Sequence, residues 1–375
     1  MATRRDVIRD AILGGLGAMA AGGLGGAQMA LAQDTPRPPG HGVQLPRMPV
    51  LHVPARDLPS PPHLNPVDRD KIARPIPDPM AFPHRGDVAA WRTLVRGGDH
   101  LLMEKAQAVL AAAPPATVRE VTAGSARVFV IEPQQKTLPA DAVILDIHGG
   151  ALIFGGGDLC RDLARGIAAA YGATVWAVDY RMPPDHPYPA GLDDCVAAYR
   201  ALLEAYRPER IVLKGDSAGG NLAAALLLRI RDAGLPMPAG CLLFSPELDL
   251  TETGDSFRAN LGIDPLGSLL PVNLLYAGTH PLVDPYVSPI FARVEGFPPT
   301  LLVTGTRDIF LSNSVRLHRS LRDAGVYAEL HVMEAIPHGG YSPGTPEAEA
   351  QMVDVRRFLT TALTPREERG RALSL

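Results

Sequence analysis

The chain has 375 residues, of which 46% are hydrophobic and 20% are charged, and it carries a net charge of −4. That length predicts one large domain with a sizeable core, and the charge balance gives neither a basic patch for nucleic acid nor an acidic tail. Cys160, Cys195 and Cys241 form no C-x-x-C pair, so the sequence indicates no disulfide framework, no zinc site and no other metal or cofactor. At most one disulfide can form, and three buried thiols are favoured because each cysteine lies in or beside an apolar stretch.

The N-terminus carries an export pattern. Arg4 and Arg5 precede a charge-free stretch, residues 11–33, which includes the small-x-small sequence 30–32. Its mild, Gly- and Ala-rich hydrophobicity is typical of a twin-arginine signal peptide over residues 1–32. We expect cleavage after Ala32, a periplasmic or secreted mature protein, and no stable membrane insertion afterwards. Because the stretch is long enough to span a bilayer, retention as an anchor stays an alternative.

Two weakly patterned segments flank the rest of the chain. Residues 33–85 are rich in proline, which predicts an extended segment that runs over the surface or stays mobile. Residues 364–375 are charged and without periodicity, so we expect a frayed tail.

Between them, residues 86–363 predict a single catalytic domain. Helical periodicity near 86–112 indicates a first cap element. Strands and helices then alternate, which predicts an α/β fold with a mostly parallel sheet covered by helices. Two strands around Val118–Val121 and Arg127–Ile131, joined by a turn at 124–125, predict an antiparallel start.

A glycine-rich loop follows the predicted strand Ala142–Ile147 and reads His148, Gly149, Gly150 and Ala151. Glycines allow backbone N–H groups to turn toward a developing oxyanion. A plain glycine loop is the alternative, whereas a phosphate-binding loop fits poorly because no G-x-x-x-x-G-K-[ST] follows.

A nucleophile elbow is indicated by the sequence 215–219, G-D-S-A-G, directly after the apolar run Ile211–Leu213. In such an elbow a serine, here Ser217, lies on a sharp turn between strand and helix. We expect the oxyanion donors to be the N–H groups of Gly150, Ala151 and Ala218. The alternative is a glycine turn with a solvent-facing serine.

Chain order supplies a base and an acid. Asp308 follows the predicted strand Thr300–Gly305, and His338 follows the predicted strand Ala328–Met333. The order serine, acid, histidine is that of an α/β-hydrolase, in which imidazole removes the serine proton and a carboxylate orients the imidazole. In this assignment His148, with Gly149, supports the oxyanion loop.

Other histidines and aspartates compete for these roles. Five of them are poorly placed: two histidines, 318 and 331, lie inside elements, and three aspartates, 249, 284 and 323, lie after the wrong strand, in an insertion and at a helix end. The competing residues are His186, His280, His318, His331, Asp249, Asp284 and Asp323.

With these motifs the chain resembles the hormone-sensitive lipase family of α/β-hydrolases, the microbial esterases marked by HGG and GDSAGG. The segment Tyr180–Ala190 resembles the family's Y-R-L-A-P-E-x-x-F-P-A, and Ser245–Thr251 resembles S-P-x-x-D-L-T. Ala151 replaces the third glycine of HGGG, and the loop after His338 lacks the usual H-G-F. The resemblance implies an α/β-hydrolase fold with a helical cap whose second element lies near 251–285.

The resemblance and the motifs together predict a serine carboxylic-ester hydrolase. We expect it to act on short-chain esters or lactones, small-molecule substrates, through an acyl-enzyme. A non-catalytic binding protein and a lyase or dehydratase on the same fold are alternatives, although the presence of all three triad residues counts against them. The sequence leaves the oligomeric state open.

Overall fold

The computed structural model describes residues 50–364, apart from 77–79 and 113. The expected signal peptide, the first part of the proline-rich segment and the tail from 365 onward lie outside the described residues. The helices and strands, in chain order, are α1 (Pro66–Ile72), α2 (Val88–Ala112), β1 (Ala116–Ala123), β2 (Ala126–Pro133), β3 (Val143–Ile147), α3 (Asp158–Tyr171), β4 (Thr174–Asp179), α4 (Ala190–Ala205), β5 (Ile211–Asp216), α5 (Ala218–Asp232), β6 (Gly240–Phe244), α6 (Ser256–Ala259), α7 (Leu270–Ala277), β7 (Thr300–Gly305), α8 (Leu311–Asp323), β8 (Ala328–Met333) and α9 (Pro346–Leu363).

Eight strands form one sheet in the order β1-β2-β4-β3-β5-β6-β7-β8. β1 pairs antiparallel with β2, β2 pairs antiparallel with β4, and the remaining neighbours pair in parallel. The predicted α/β-hydrolase fold, a mostly parallel sheet with an antiparallel start, is confirmed. The carboxyl ends of β3, β5, β7 and β8 meet at one edge, which is where open α/β sheets bind ligands.

Helices cover both faces of the sheet because the central strands are apolar on both sides. Leu192, Leu226 and Leu317 bring α4, α5 and α8 onto one face, whereas Ile167 and Phe358 bring α3 and α9 onto the other. Cys160, Cys195 and Cys241 are buried free thiols, as predicted.

A third apolar cluster lies over the catalytic edge of the sheet. It joins Trp91 on α2 and Val272 on α7 to Ile153 and Phe310, which lie in the loops after β3 and β7. The two segments expected to form the cap therefore pack against the loops that carry the candidate site.

The prediction of an entirely extended proline-rich segment is wrong for α1. Asn65 caps this helix by accepting a hydrogen bond from the Asp68 N–H at 2.9 Å. Pro66 occupies the first turn, where its missing N–H costs no hydrogen bond. Proline therefore starts this helix rather than preventing it, while the described residues 50–60 have no regular structure.

Among the described residues, no helix is both long enough and apolar enough to cross a bilayer.

Candidate active site

Ser217 lies in the tight turn between β5 and α5 with a φ of +53°. This left-handed conformation is rare for a residue with a side chain, and it projects the hydroxyl away from the turn. Both flanking glycines are sterically required. A Cβ at Gly215 would lie 2.3 Å from the Gly219 carbonyl oxygen, and a Cβ at Gly219 would lie 2.0 Å from the oxygen of Ile147.

The structure brings Ser217, His338 and Asp308 together. His338 Nε2 lies 3.0 Å from Ser217 Oγ, and His338 Nδ1 lies 3.4 Å from Asp308 Oδ1. Asp308 is itself fixed, because Oδ2 accepts a hydrogen bond from Thr304 Oγ1 at 2.7 Å and Oδ1 accepts one from the Phe310 N–H at 2.9 Å. A hydroxyl, an imidazole and a carboxylate in a line can move a proton off the hydroxyl and hold the resulting cation.

The electrostatics of the pair favour a charged histidine. Burial alone would lower the pKa of His338, but the hydrogen bond and negative charge of Asp308 outweigh burial and leave that pKa raised. Burial opposes ionisation of Asp308 as well, yet its bond to His338 holds the pKa of the carboxyl below its usual range. An imidazole of raised basicity suits proton removal from a serine.

The loop expected to hold the oxyanion approaches the serine closely. A Cβ at Gly149 would lie 2.9 Å from the Asp216 carbonyl oxygen and 3.3 Å from Ser217 Cβ, so a side chain there would push the loop away from the elbow. Gly150 and Ala151 both have positive φ, +124° and +51°. Within the described ranges neither of their N–H groups has an acceptor, and Ala218 is the first residue of α5, where a helix leaves its N–H groups unpaired.

His148 supports this loop from beneath. Its ring stacks on Tyr180 with 4.2 Å between centroids, and its Nδ1 lies 2.8 Å from the Gly149 carbonyl oxygen. The Tyr180 hydroxyl donates to the His148 carbonyl oxygen at 2.9 Å. From the cap side, Asp99 on α2 accepts a hydrogen bond from the Gly155 N–H at 2.9 Å. The loop is therefore held from both the sheet and the cap.

Three of the competing residues, Asp249, His318 and His331, have partners outside the triad. Asp249 accepts hydrogen bonds from Arg316 at 2.6 Å and Thr253 at 2.7 Å. His331 pairs with Glu329, and His318 Nε2 lies 3.3 Å from the carbonyl oxygen of Ala328.

Three potential metal ligands lie near one another beneath the oxyanion loop. Ligand atoms of His148, Cys160 and Asp179 lie within 4.8 Å of one another. Asp179, however, is already occupied, because it accepts hydrogen bonds from Arg127 at 2.7 Å and from the Gly157 N–H at 2.8 Å. The group therefore serves the loop without needing a cation for charge balance.

Sequence reasoning missed several buried polar residues around the triad. Glu247, Asn260 and Asp264 are all buried. Burial raises the pKa of the Glu247 carboxyl to about 8, and burial together with the nearby charge of Asp308 raises that of Asp264 to about 6. No motif identifies these residues, because a polar residue in a loop or insertion is exposed in most proteins.

Comparison with known proteins agrees with the fold and the site. Residues 144–342 match the family described as the alpha/beta hydrolase fold. The chain is 36% identical over 232 residues to an esterase of Acinetobacter venetianus, covering 59% of this chain and 76% of the relative. It is 34% identical over 257 residues to an acetyl-hydrolase of Streptomyces hygroscopicus, covering 66% and 84%.

Solved structures give the same result. The esterase E25 matches with a TM-score of 0.77 and 32% identity, covering 83% of this chain and 98% of the other. An esterase from the bacterial hormone-sensitive lipase family matches with a TM-score of 0.64 and 29% identity, covering 76% and 100%. The chain belongs to the α/β-hydrolase superfamily and, within it, to the hormone-sensitive lipase family of esterases.

Proposed function

We propose that this protein is a serine carboxylic-ester hydrolase that works through an acyl-enzyme on Ser217. The observation that carries the proposal is the 3.0 Å contact between Ser217 Oγ and His338 Nε2 in a strained elbow. The naming of the relatives as esterases and acetyl-hydrolases supports the same activity.

The reaction follows from this arrangement. Ser217 Oγ attacks the ester carbonyl while His338 Nε2 takes the hydroxyl proton, and the proton then passes to the departing alcohol. Water attacks the acyl-enzyme by the same route, giving its proton to His338 and releasing the acid and Ser217. Asp308 keeps Nδ1 protonated and stabilises the imidazolium throughout.

The N–H groups of Gly150, Ala151 and Ala218 bind the oxyanion of each tetrahedral intermediate. Removing one such donor typically costs about 3 kcal/mol of transition-state stabilisation. Ala151 in place of a third glycine retains the N–H, so it changes the shape of the pocket and leaves the donor set intact.

The preferred substrates are small esters or lactones, with acyl chains of about two to eight carbons. Ser217 and His338 line a small cavity together with Phe244, Val303 and Met333. The 251–285 cap insertion also carries Glu252, Asp255 and Arg258 among its apolar residues, whereas an enzyme that opens on an oil surface needs a broad apolar patch.

A panel of nitrophenyl esters of graded chain length, together with lactones, tests this proposal. We expect kcat/KM to fall beyond about eight carbons and Ser217→Ala to abolish turnover. A kcat/KM that keeps rising with chain length and jumps above the solubility limit of the substrate would instead identify a lipase.

The alternatives have less support. A binding protein or a lyase on this fold has no need of an aligned serine, histidine and carboxylate, and the named relatives hydrolyse esters.

Export of the enzyme is supported by the N-terminal pattern alone. N-terminal sequencing of the mature protein tests it, with Gln33 as the expected first residue.

A further inference from the structure

Asp264 connects the cap to both loops that carry the triad. It lies in the insertion between β6 and β7 and is 1% exposed. Its Oδ2 accepts hydrogen bonds from the backbone N–H of Ile309 and from that of His338, both at 2.9 Å. Its Oδ1 accepts one from the Leu266 N–H at 2.7 Å. One carboxylate thus fixes the residue after Asp308 and the histidine itself.

Asn260, in the same turn as Asp264, also binds the acid loop. Its Nδ2 donates to the carbonyl oxygens of Asp308 at 2.8 Å and Thr306 at 3.3 Å. Its own carbonyl accepts a hydrogen bond from the Asp264 N–H at 2.8 Å, which closes the turn. The 260–264 turn therefore binds donors and acceptors of the acid loop and a donor of the histidine loop.

Burial of the Asp264 carboxylate costs free energy of folding. A buried carboxylate must give up its hydration, and here a second buried carboxylate, Asp308, lies nearby. Hydrogen bonds from N–H groups to a charged acceptor are about twice as strong as neutral ones, so they restrain the loops more firmly than a neutral side chain would. Displacement of a catalytic group by about 1 Å can cost on the order of 10²-fold in rate.

We propose that Asp264 is a positioning residue that sets the backbone of His338 relative to Asp308, so that the cap controls the geometry of the triad. The inference rests on the proposed esterase function and adds a group that touches neither substrate nor reacting atoms. The cap is then part of the catalytic machinery as well as a wall of the pocket.

Kinetics of Asp264→Ala and Asp264→Asn provide the first test, with Asp255→Asn as the matched control. Asp255 is exposed on the same insertion, and its side chain makes no capping bond. We expect Asp264→Ala to lower kcat about 10²-fold with little change in KM. Asp264→Asn, which keeps one oxygen acceptor, should lose less, and the control should match the wild type. Titration of active sites with an organophosphate corrects each rate for unfolded protein.

A second readout does not depend on turnover. In the Ser217→Ala background, the titration of His338 can be followed by NMR of its imidazole. Four carboxylates lie around the imidazole: Asp308 after β7, Asp264 in the cap, Glu247 after β6 and Asp216 on β5. The histidine loop also contacts one cation, Lys71 on α1, whose Nζ donates a hydrogen bond to the Gly340 carbonyl oxygen. Removing the negative charge in Asp264→Asn should lower the pKa of His338, whereas Asp255→Asn should leave it unchanged.

The proposal is overturned if Asp264→Ala and Asp264→Asn keep wild-type kcat per titrated site, or if the His338 pKa stays the same in Asp264→Asn. A variant that only melts earlier and turns over normally assigns Asp264 a purely structural role. If the wild type hydrolyses no ester, the proposed function fails instead, and the NMR titration still decides the contact between Asp264 and His338.

Discussion

The nucleophile elbow and the histidine loop are built in opposite ways. The elbow is held by backbone contacts, because Gly215 and Gly219 leave room for the main chain of the turn and of β3, and the Ser217 N–H donates to the Phe244 carbonyl oxygen at 2.8 Å. The histidine loop, by contrast, is also held by side chains from distant parts of the chain.

Three contacts show the dependence of that loop on distant segments. His338 is bound through its N–H by Asp264, 74 residues earlier in the chain. Lys71 Nζ donates to the Gly340 carbonyl at 2.5 Å, and Asp68 accepts from the Ser342 N–H at 2.8 Å. The nucleophile is thus placed by a tight turn and its backbone contacts with neighbouring strands, whereas side-chain hydrogen bonds from the cap and from α1 help to place the base.

Removal of the nucleophile in the elbow should cause the largest loss of activity. Ser217→Ala should lower kcat by about 10⁴- to 10⁶-fold, because the remaining site can only bind the substrate and its oxyanion. The fold should persist, since alanine fits the space of serine. Steady-state kinetics with a short nitrophenyl ester, alongside circular dichroism, measure both. Near-normal turnover by a folded variant would remove Ser217 from the mechanism.

Removal of the acid, Asp308, should cause the second-largest loss of kcat. Asp308→Ala should cost about 10³- to 10⁴-fold in kcat, because the imidazole loses the partner that sets its tautomer. The double variant Ser217→Ala/Asp308→Ala should be scarcely worse than Ser217→Ala alone, since the triad acts as one unit. A loss below about tenfold in the Asp308 variant would place the acid elsewhere, with Asp249 and Asp284 to be tested next.

The elbow was predictable from sequence because its physics is local. The G-x-S-x-G spacing, the flanking strand and helix, and the order of Asp308 and His338 along the chain are all visible without a structure. The fold and the three residues that meet at the sheet edge follow from that order. How closely they align was not predictable, since the 3.4 Å separation of His338 and Asp308 depends on contacts made elsewhere.

The supports of the histidine loop were not predictable for the same physical reason. Asp264 and Asn260 look like ordinary polar residues of an insertion, and α1 is hidden in a proline-rich segment. Their importance arises only when the chain brings them against loops that precede or follow them by dozens of residues. A buried hydrogen bond between distant residues leaves no periodicity in the sequence.

Ala151 tests the oxyanion loop. Ala151→Pro removes an N–H donor and should lower kcat by about 10²- to 10³-fold. Ala151→Gly is the matched control, because it keeps the donor and relieves a side chain from a φ of +51°, so it should retain activity and gain up to about 1 kcal/mol in stability. Kinetics and thermal melts compare the two variants. Normal turnover by the proline variant would exclude Ala151 as a donor.

Asp68 tests the support from α1. This side chain is fully buried and binds Asn65 Nδ2 at 2.6 Å as well as the Ser342 N–H. Asp68→Ala leaves the half-buried Ser342 N–H without its acceptor, so it should cost about 1 kcal/mol of stability and a few-fold in kcat. Asp70→Ala, on the exposed side of the same helix, serves as the control. Equal melting temperatures and rates for both variants would show that α1 does not restrain the loop.

Glu247 has an effect on stability that depends on pH. Its folded-state pKa, about 8, lies above the ordinary 4.5, so the folded protein binds the proton more tightly. Stability should therefore fall as pH rises from about 4.5 to about 8. Glu247→Gln cannot ionise, and its melting temperature relative to wild type should increase across that window. Glu204→Gln, at an exposed site, is the control. A difference that is independent of pH would contradict a buried, protonated Glu247.

The most direct test of the central claim is covalent labelling. The enzyme is treated with an organophosphate that forms a stable adduct with activated serines, and intact mass and peptide mapping locate the adduct. The account predicts one adduct per chain, on Ser217, with none in Ser217→Ala and much slower labelling in Asp308→Ala. A label on any other residue, or full labelling of Ser217→Ala, would contradict it.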